Sequence, residues 1–195
     1  MISAVILAAG ESQRMGKENK LLLPIKGEAL IRRFVKSVCL SEVAEVLVVL
    51  GYEAEKIKEV LIDQPVDFVY NPSYMMGMTT SIKTGISASS KNSDGYMICL
   101  SDLPFAETSD FNILLRAFSS FRVKGNALVT IPVFKGKPGN PVMFSFEFRE
   151  KILEHVGEGC RELIAKNYRN VREVIMENDN LFCDIDTPED YKKIT

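Results

Sequence analysis

The chain has 195 residues, with 24 Lys+Arg against 26 Asp+Glu and one histidine, for a formal charge of −2. Charged residues make up 26% and hydrophobic ones 46%, an ordinary globular profile that fits a single domain spanning 1–195 around one core. That balance argues against a broad nucleic-acid binder, and no apolar run reaches the ~18 residues of a membrane span. The opening MISAVILAAGESQRMG has no basic residue ahead of its short apolar stretch, which disfavours a secretory signal and points to the cytoplasm. Cys39, Cys99, Cys160 and Cys183 are far apart and form no CxxC pair, as expected of buried free thiols in a reducing compartment. With His155 alone, a histidine metal cluster is excluded. His155, between Ile152 and Val156, reads as a helix-surface or packing residue.

In chain order, 2–7 (ISAVIL) reads as an apolar strand delivered to Ala8-Ala9-Gly10. Residues 29–40 carry Leu30, Phe34, Val35 and Val38 at helical spacing. Residues 45–50 (EVLVVL) suit a strand buried on both faces, ended by Gly51. A helix over 54–62 and a strand over 66–70 follow, the strand stopped by Asn71-Pro72. Then come a helix over 79–89, a strand over 96–100, a helix over 109–121 with Ser109 as N-cap, and a strand over 127–133. The second half is less regular. A turn-rich Lys135–Pro141 stretch precedes the apolar run 142–144, helices are expected near 147–156 and 158–167, and 171–176 reads as a strand. Cys183–Asp186 is an extended piece before a final helix with Thr187 as N-cap, Pro188 at N1 and Asp190 at N3.

Strands and helices alternating at this spacing signal βαβ units. The expectation is an α/β, Rossmann-like three-layer fold with a mainly parallel sheet. Ligands in such sheets bind beyond the carboxyl ends of the strands. Residues Ala8–Gly10, Gly51, Asn71 and Ser101–Asp102 should therefore converge on one edge.

Four segments carry candidate chemistry. In Leu7-Ala8-Ala9-Gly10-Glu11-Ser12-Gln13-Arg14-Met15-Gly16 and on to Lys20, small residues let backbone N–H groups approach a ligand. Arg14, Lys17 and Lys20 supply positive charge close by. That combination suits a polyphosphate, although it matches neither the Walker GxxxxGK[ST] pattern nor GxGxxG and also fits a plain strand–loop–helix turn. Asp102, just past an apolar strand, is placed to bind Mg²⁺ beside a phosphate, or to serve a turn. Asp184 and Asp186 share one side of an extended segment. Either could be a second acidic ligand, or one could cap the last helix. The Asn71–Ser81 loop ends in Gly77-Met78-Thr79-Thr80-Ser81 at a helix start, where N–H groups could read a base edge or a phosphate.

Taken together, the order and spacing are more specific. Leu7-Ala8-Ala9-Gly10-x-Ser12-x-Arg14-Met15-Gly16 with Lys20-Leu21-Leu22-Leu23-Pro24 resembles nucleotidyltransferases that consume a nucleoside triphosphate and release pyrophosphate. Asn71-Pro72-x-Tyr74-x-x-Gly77-Met78-x-Thr80-Ser81-Ile82, Asp102-x-Pro104, Gly139-Asn140-Pro141-Val142 and Asp184-Ile185-Asp186-Thr187-Pro188-Glu189-Asp190 narrow the resemblance. They are similar to the molybdenum cofactor cytidylyltransferase group, over residues 2 to about 191. The resemblance implies a nucleotide-diphospho-sugar transferase type of fold and Mg²⁺-dependent transfer of CMP from CTP to a molybdopterin-type acceptor. A molybdenum hydroxylase would be the recipient of the product.

By motif position, the resemblance places Leu7, Ala8, Ala9, Gly10, Asn71, Gly77, Met78, Thr79 and Ser101 at the nucleotide. It places Arg14 and Lys20 on the triphosphate, and Asp102 and Asp186 on the metal. Arg14, Lys20 and Asp102 would be the catalytic set. Ala-Ala-Gly leans towards pyrimidines, with the Ala9 methyl as a steric reason to disfavour a purine. Sugar uridylyl transferases and isoprenoid cytidylyl transferases share that loop. Gly157-Glu158-Gly159-Cys160-Arg161 departs from the Gly-Asp-x-Gly-x-Arg of many relatives, which leaves the acceptor side less defined. Lys135, Lys137 and Arg161 are candidates there.

Overall fold

The computed structural model describes residues 1–16 and 18–194. Lys17, one of the basic residues expected near a phosphate, lies outside the described residues. Ten strands are present among them: β1 Ile2–Ala8, β2 Pro24–Ile25, β3 Glu28–Ala29, β4 Glu45–Leu50, β5 Asp67–Tyr70, β6 Gly95–Leu100, β7 Val129–Phe134, β8 Lys137–Pro138, β9 Val142–Ser145 and β10 Val171–Ile175. The α-helices are α1 Leu30–Cys39, α2 Ala54–Val60, α3 Met78–Ala88, α4 Thr108–Phe121, α5 Arg149–Glu154, α6 Arg161–Lys166 and α7 Pro188–Ile194.

The main sheet runs β10-β7-β9-β6-β1-β4-β5, with β8 paired to β7. Strands β6, β1, β4 and β5 are mutually parallel, with Ala4 opposite Val46 and Met97. Their carboxyl ends therefore meet at one edge. Strand β9 is antiparallel to both β6 and β7, so the sheet is mixed rather than wholly parallel. The apolar run 142–144 gave no direction on its own. Its short connection from β7, through the β8 turn, returns the chain alongside as a hairpin requires.

Alternation along the strands builds two cores. Ala4, Ile6, Val48 and Met97 face one, with Leu30, Phe34 and Phe111 from α1 and α4. Val5, Leu47, Val49 and Ile98 face the other, with Ile82 of α3, Ile152 of α5 and Leu163 of α6. Sequence runs that are apolar on both parities are those buried on both faces. The result is the expected three layers.

Two local differences have physical causes. Helix α4 starts at Thr108 with Glu107 as N-cap, not Ser109, because the Glu107 and Asp110 side chains satisfy each other's backbone N–H groups in a capping box. Buried Asp110 also accepts from Asn178 at 3.2 Å and Asn180 at 3.1 Å. At α7 the expected cap holds: the Asp190 N–H donates to Thr187 Oγ1 at 3.2 Å and Asp190 Oδ2 accepts from the Thr187 N–H at 3.1 Å. All four cysteines are free thiols, but only Cys99 is fully buried and Cys39, Cys160 and Cys183 are half-buried; burial pushes Cys39 up to about 11 and Cys160 up to about 12. Among the described residues no helix is long and apolar enough to cross a membrane.

Candidate active site

Where the carboxyl ends of β1, β6 and the loop after β5 meet, a cavity of about 650 Å³ opens, a size suited to a nucleotide. Its walls include Leu7, Ala9, Gly10, Arg14 and Lys20 from the first segment. Gly77 and Met78 come from the second, and Ser101, Asp102 and Asp186 from the last two. Ten of the expected site residues are thus gathered around one space. Ala8, Asn71 and Thr79 are not on its wall.

Each of those three has another job in the fold. Ala8 is 1% exposed and faces the α1 core, because pleat alternation turns it opposite to Leu7. Asn71 is 1% exposed and brackets its loop. Its Nδ2 donates to Thr80 Oγ1 at 2.9 Å and Ser81 Oγ at 3.0 Å, and its Oδ1 accepts from the Ser73 N–H at 3.0 Å. Thr79 Oγ1 donates to the Gly157 carbonyl and accepts from the Gly159 N–H at 2.9 Å, tying α3 to the segment before α6.

The first loop is held from several sides. The Tyr52 N–H donates to the Ala9 carbonyl at 3.1 Å, linking the ends of β1 and β4. Ser101 Oγ donates to the Leu7 carbonyl at 2.7 Å, linking β6 to β1. The Lys20 N–H donates to Ser12 Oγ at 3.2 Å, folding the loop back on itself. Met15 is buried at 7% exposure and pins the short 3-10 turn that carries Arg14.

The acidic side is brought in from the far end of the chain. The Ile185 N–H donates to the Asp102 carbonyl at 3.1 Å, and Ile185 is 1% exposed. With Ile185 in the core, Asp184 and Asp186 both line the cavity beside Asp102. Gly139 helps: a Cβ there would lie 2.5 Å from the Phe182 ring, so only glycine lets the 181–186 segment close in. This gives the Gly139-Asn140-Pro141-Val142 motif a packing reason.

Four charges then interlock. Lys20 Nζ lies 2.7 Å from Asp102 Oδ2 and 2.9 Å from Asp186 Oδ1. Arg14 reaches the other Asp186 oxygen at 2.9 Å while remaining 70% exposed. Burial pulls the Lys20 ammonium down, but Asp102 and then Asp186 outweigh it and hold it above its usual range. Burial raises the Asp184 carboxyl, and the neighbouring Asp186 and Asp102 charges raise it further.

Among the described residues no three His, Cys, Asp or Glu are grouped to hold a metal by themselves. Asp102 and Asp186 do offer a pair of carboxylates, and Asp102 Oδ1 is buried without a hydrogen-bond partner. A hard divalent cation that takes one or two carboxylates plus phosphate oxygens fits this donor set.

Tyr74 and Ser12 also line the cavity, without a role expected of either beyond their motifs. A Cβ on Gly51 would lie 2.6 Å from Tyr74 and 2.8 Å from the Ala9 methyl, so Gly51, Ala9 and Tyr74 pack with no spare room. Gly77, at φ 101°, makes the left-handed turn that returns the chain from the Tyr74–Met76 turn into α3. Lys135, Lys137 and Arg161 are exposed and off the cavity wall, and His155 closes the end of α5 away from it.

Comparison with known proteins decides the family. Residues 4–172 match the MobA-like NTP transferase domain. The chain belongs to that family. It is thus a nucleotidyltransferase by family, with a nucleotide-diphospho-sugar transferase type of fold. It is 27% identical over 193 residues to the molybdenum cofactor cytidylyltransferase of Escherichia coli (strain K12), covering 97% of this chain and 93% of that protein. It is 31% identical over 206 residues to the purine catabolism protein PucB of Bacillus subtilis (strain 168), covering 97% and 94%. Among solved structures, a nucleotidyl transferase from Methanothermobacter thermautotroptrophicus superposes with a TM-score of 0.85 at 23% identity, covering 100% of this chain and 95% of that one. The Rv0371C complex with manganese from Mycobacterium tuberculosis H37Rv superposes at 0.81 and 18% identity, covering 99% and 97%.

Proposed function

We propose that this protein transfers CMP from CTP to the terminal phosphate of a molybdopterin-type acceptor. In that reaction an acceptor phosphate oxygen bonds to the α-phosphorus of CTP, the α–β phosphoanhydride bond breaks, and pyrophosphate leaves. The observation that carries the reading is the Arg14–Lys20–Asp102–Asp186 cluster at the mouth of a nucleotide-sized cavity. The acceptor phosphate is already largely ionised at neutral pH, so no strong general base is required and the lack of histidine on the cavity wall is no obstacle. The protein's task is alignment and charge neutralisation.

The chain supplies both. Backbone N–H groups around Ala9, Gly10 and Ser12 receive the phosphates, and Lys20 and the exposed head of Arg14 neutralise the charge that builds on the leaving pyrophosphate. Mg²⁺ held by Asp102 and Asp186 would add a fixed positive charge against the triphosphate. The manganese complex of the mycobacterial relative supports a divalent cation in this fold. Nucleotide choice is read from the Ala8-Ala9-Gly10 loop, which leans towards pyrimidines; Ala9 and Tyr74 line the cavity, and Gly51 packs against them. Leu7, Gly77, Met78 and Ser101 complete the nucleotide's surroundings, while Ala8, Asn71 and Thr79 act by holding the backbone behind them. The free thiols fit a reducing cytoplasm. A molybdenum hydroxylase would receive the product.

The test is turnover with CTP, GTP and UTP against molybdopterin, a sugar phosphate and methylerythritol phosphate, with calorimetric titration of each nucleotide with and without Mg²⁺. CTP with molybdopterin should release pyrophosphate fastest. Turnover only with a sugar phosphate would overturn the acceptor. Metal-independent nucleotide binding without any turnover would instead identify a non-catalytic accessory protein.

A further inference from the structure

Of the four carboxylate oxygens on Asp102 and Asp186, three are already taken by the chain's own cations. Lys20 Nζ bridges one oxygen of each, at 2.7 Å and 2.9 Å, and Arg14 holds the second oxygen of Asp186 at 2.9 Å. Among the described residues, only Asp102 Oδ1 of the four lacks a partner. Lys20 and Asp102 are well shielded, at 15% and 16% side-chain exposure, so this is not a loose surface pair. The Lys20 backbone is fixed by its N–H bond to Ser12 Oγ at 3.2 Å, which leaves the side chain as the part free to move.

A cation can take the Asp102 and Asp186 oxygens that Lys20 bridges only by displacing Lys20 from them. Lys20 cannot leave without cost, because a well-shielded ammonium stripped of its anions is uncompensated. A triphosphate in the same cavity offers it new anions.

We propose that Lys20 is a resident counter-ion that keeps free divalent metal off Asp102 and Asp186 and yields them only when a triphosphate arrives, so that metal and nucleotide bind as a coupled pair. This rests on the nucleotidyl-transfer reading and adds an order to it. Coupling is reciprocal, so the nucleotide must strengthen metal binding by the factor by which metal strengthens nucleotide binding.

The experiment measures Mn²⁺ binding by electron paramagnetic resonance, with and without CTP, for the wild type, Lys20→Met, Lys20→Gln and Arg14→Met. Circular dichroism checks that each variant is folded, and Lys20→Gln, which keeps a hydrogen-bond donor, stands in should Lys20→Met fail. Both Lys20 variants should bind Mn²⁺ alone roughly tenfold or more tightly than the wild type. Arg14→Met, which frees one outer oxygen, should gain no more than about threefold, in keeping with an exposed pair. Equal Mn²⁺ affinity in the wild type and a folded Lys20 variant would overturn the proposal. Failure of the wild type to bind any nucleoside triphosphate would overturn the transferase reading instead. A wild type that transfers nucleotide yet shows no Lys20 effect on Mn²⁺ would remove the coupling alone.

Discussion

Replacing Asp102 with alanine should separate stability from catalysis. In the free protein Asp102 gives Lys20 one of two anionic partners, at 2.7 Å, while Asp186 remains at 2.9 Å. The substitution therefore leaves the ammonium paired, and it also removes Oδ1, a buried oxygen without a partner. The two effects partly offset. The expected cost is about 1 kcal/mol, the worth of one charge-assisted hydrogen bond retained in part by the neighbour. For a chain of 195 residues that lowers Tm by roughly 2–4 °C. Catalysis should suffer far more. A preorganised group aimed at developing charge is worth ~10²–10³-fold in rate, so kcat/KM should fall at least that far at saturating Mg²⁺. The assays are differential scanning calorimetry and a coupled pyrophosphate release assay on the same preparation. A variant that melts normally and turns over within about fivefold of the wild type would refute the role given to Asp102.

Three further substitutions probe the frame around the site. Asn71→Ala removes a buried bracket of three side-chain hydrogen bonds, so chemical denaturation should show a loss of about 2–3 kcal/mol, and the loosened Tyr74–Gly77 loop should raise KM for CTP. Gly85→Ala would put a methyl 2.2 Å from a Val5 methyl where α3 lies on β1. Overpacking there should cost about 1–3 kcal/mol in a urea melt, and unchanged stability would contradict the close approach. Asp184 has its carboxyl raised by burial and then by Asp186 and Asp102, so the folded state binds that proton more tightly than the unfolded one. The resulting stability is present below the ordinary carboxylate range and lost as pH rises through the raised value. Asp184→Asn should therefore raise Tm at pH 7, with the gain shrinking as pH falls below about 4; an equal gain at both pH values would count against it.

Strands β1 and β4 were legible because both faces of each are buried: only Ser3 interrupts ISAVIL, and only Glu45 opens EVLVVL. The edge they share followed from βαβ spacing, and with it Ala9, Gly10, Ser101 and Asp102; Leu7 came from the resemblance. What was illegible depended on partners far along the chain. Asn71 has the right residue type for reading a base, yet Thr80 and Ser81 consume its amide nine and ten residues later. Ala8 stands within the signature motif, but as the last residue of β1 it is turned into the core by the strand's alternation. Ser109 looks like a cap, and Glu107 wins because Asp110 reciprocates. The Asp184–Asp186 pair was readable as two carboxylates on one side. That Asp186 meets Asp102 came from the resemblance and not from spacing, since the Ile185 bond to Asp102 spans more than eighty residues.

The central claim is nucleotidyl transfer at the Lys20–Asp102–Asp186 cluster. Its most direct test is a single-turnover reaction with CTP labelled at the α-phosphorus, excess protein, Mg²⁺ and molybdopterin. The account predicts that label appears in the acceptor with one pyrophosphate released per label transferred. Label that stays in CTP, or leaves as free CMP with no acceptor product, would contradict it.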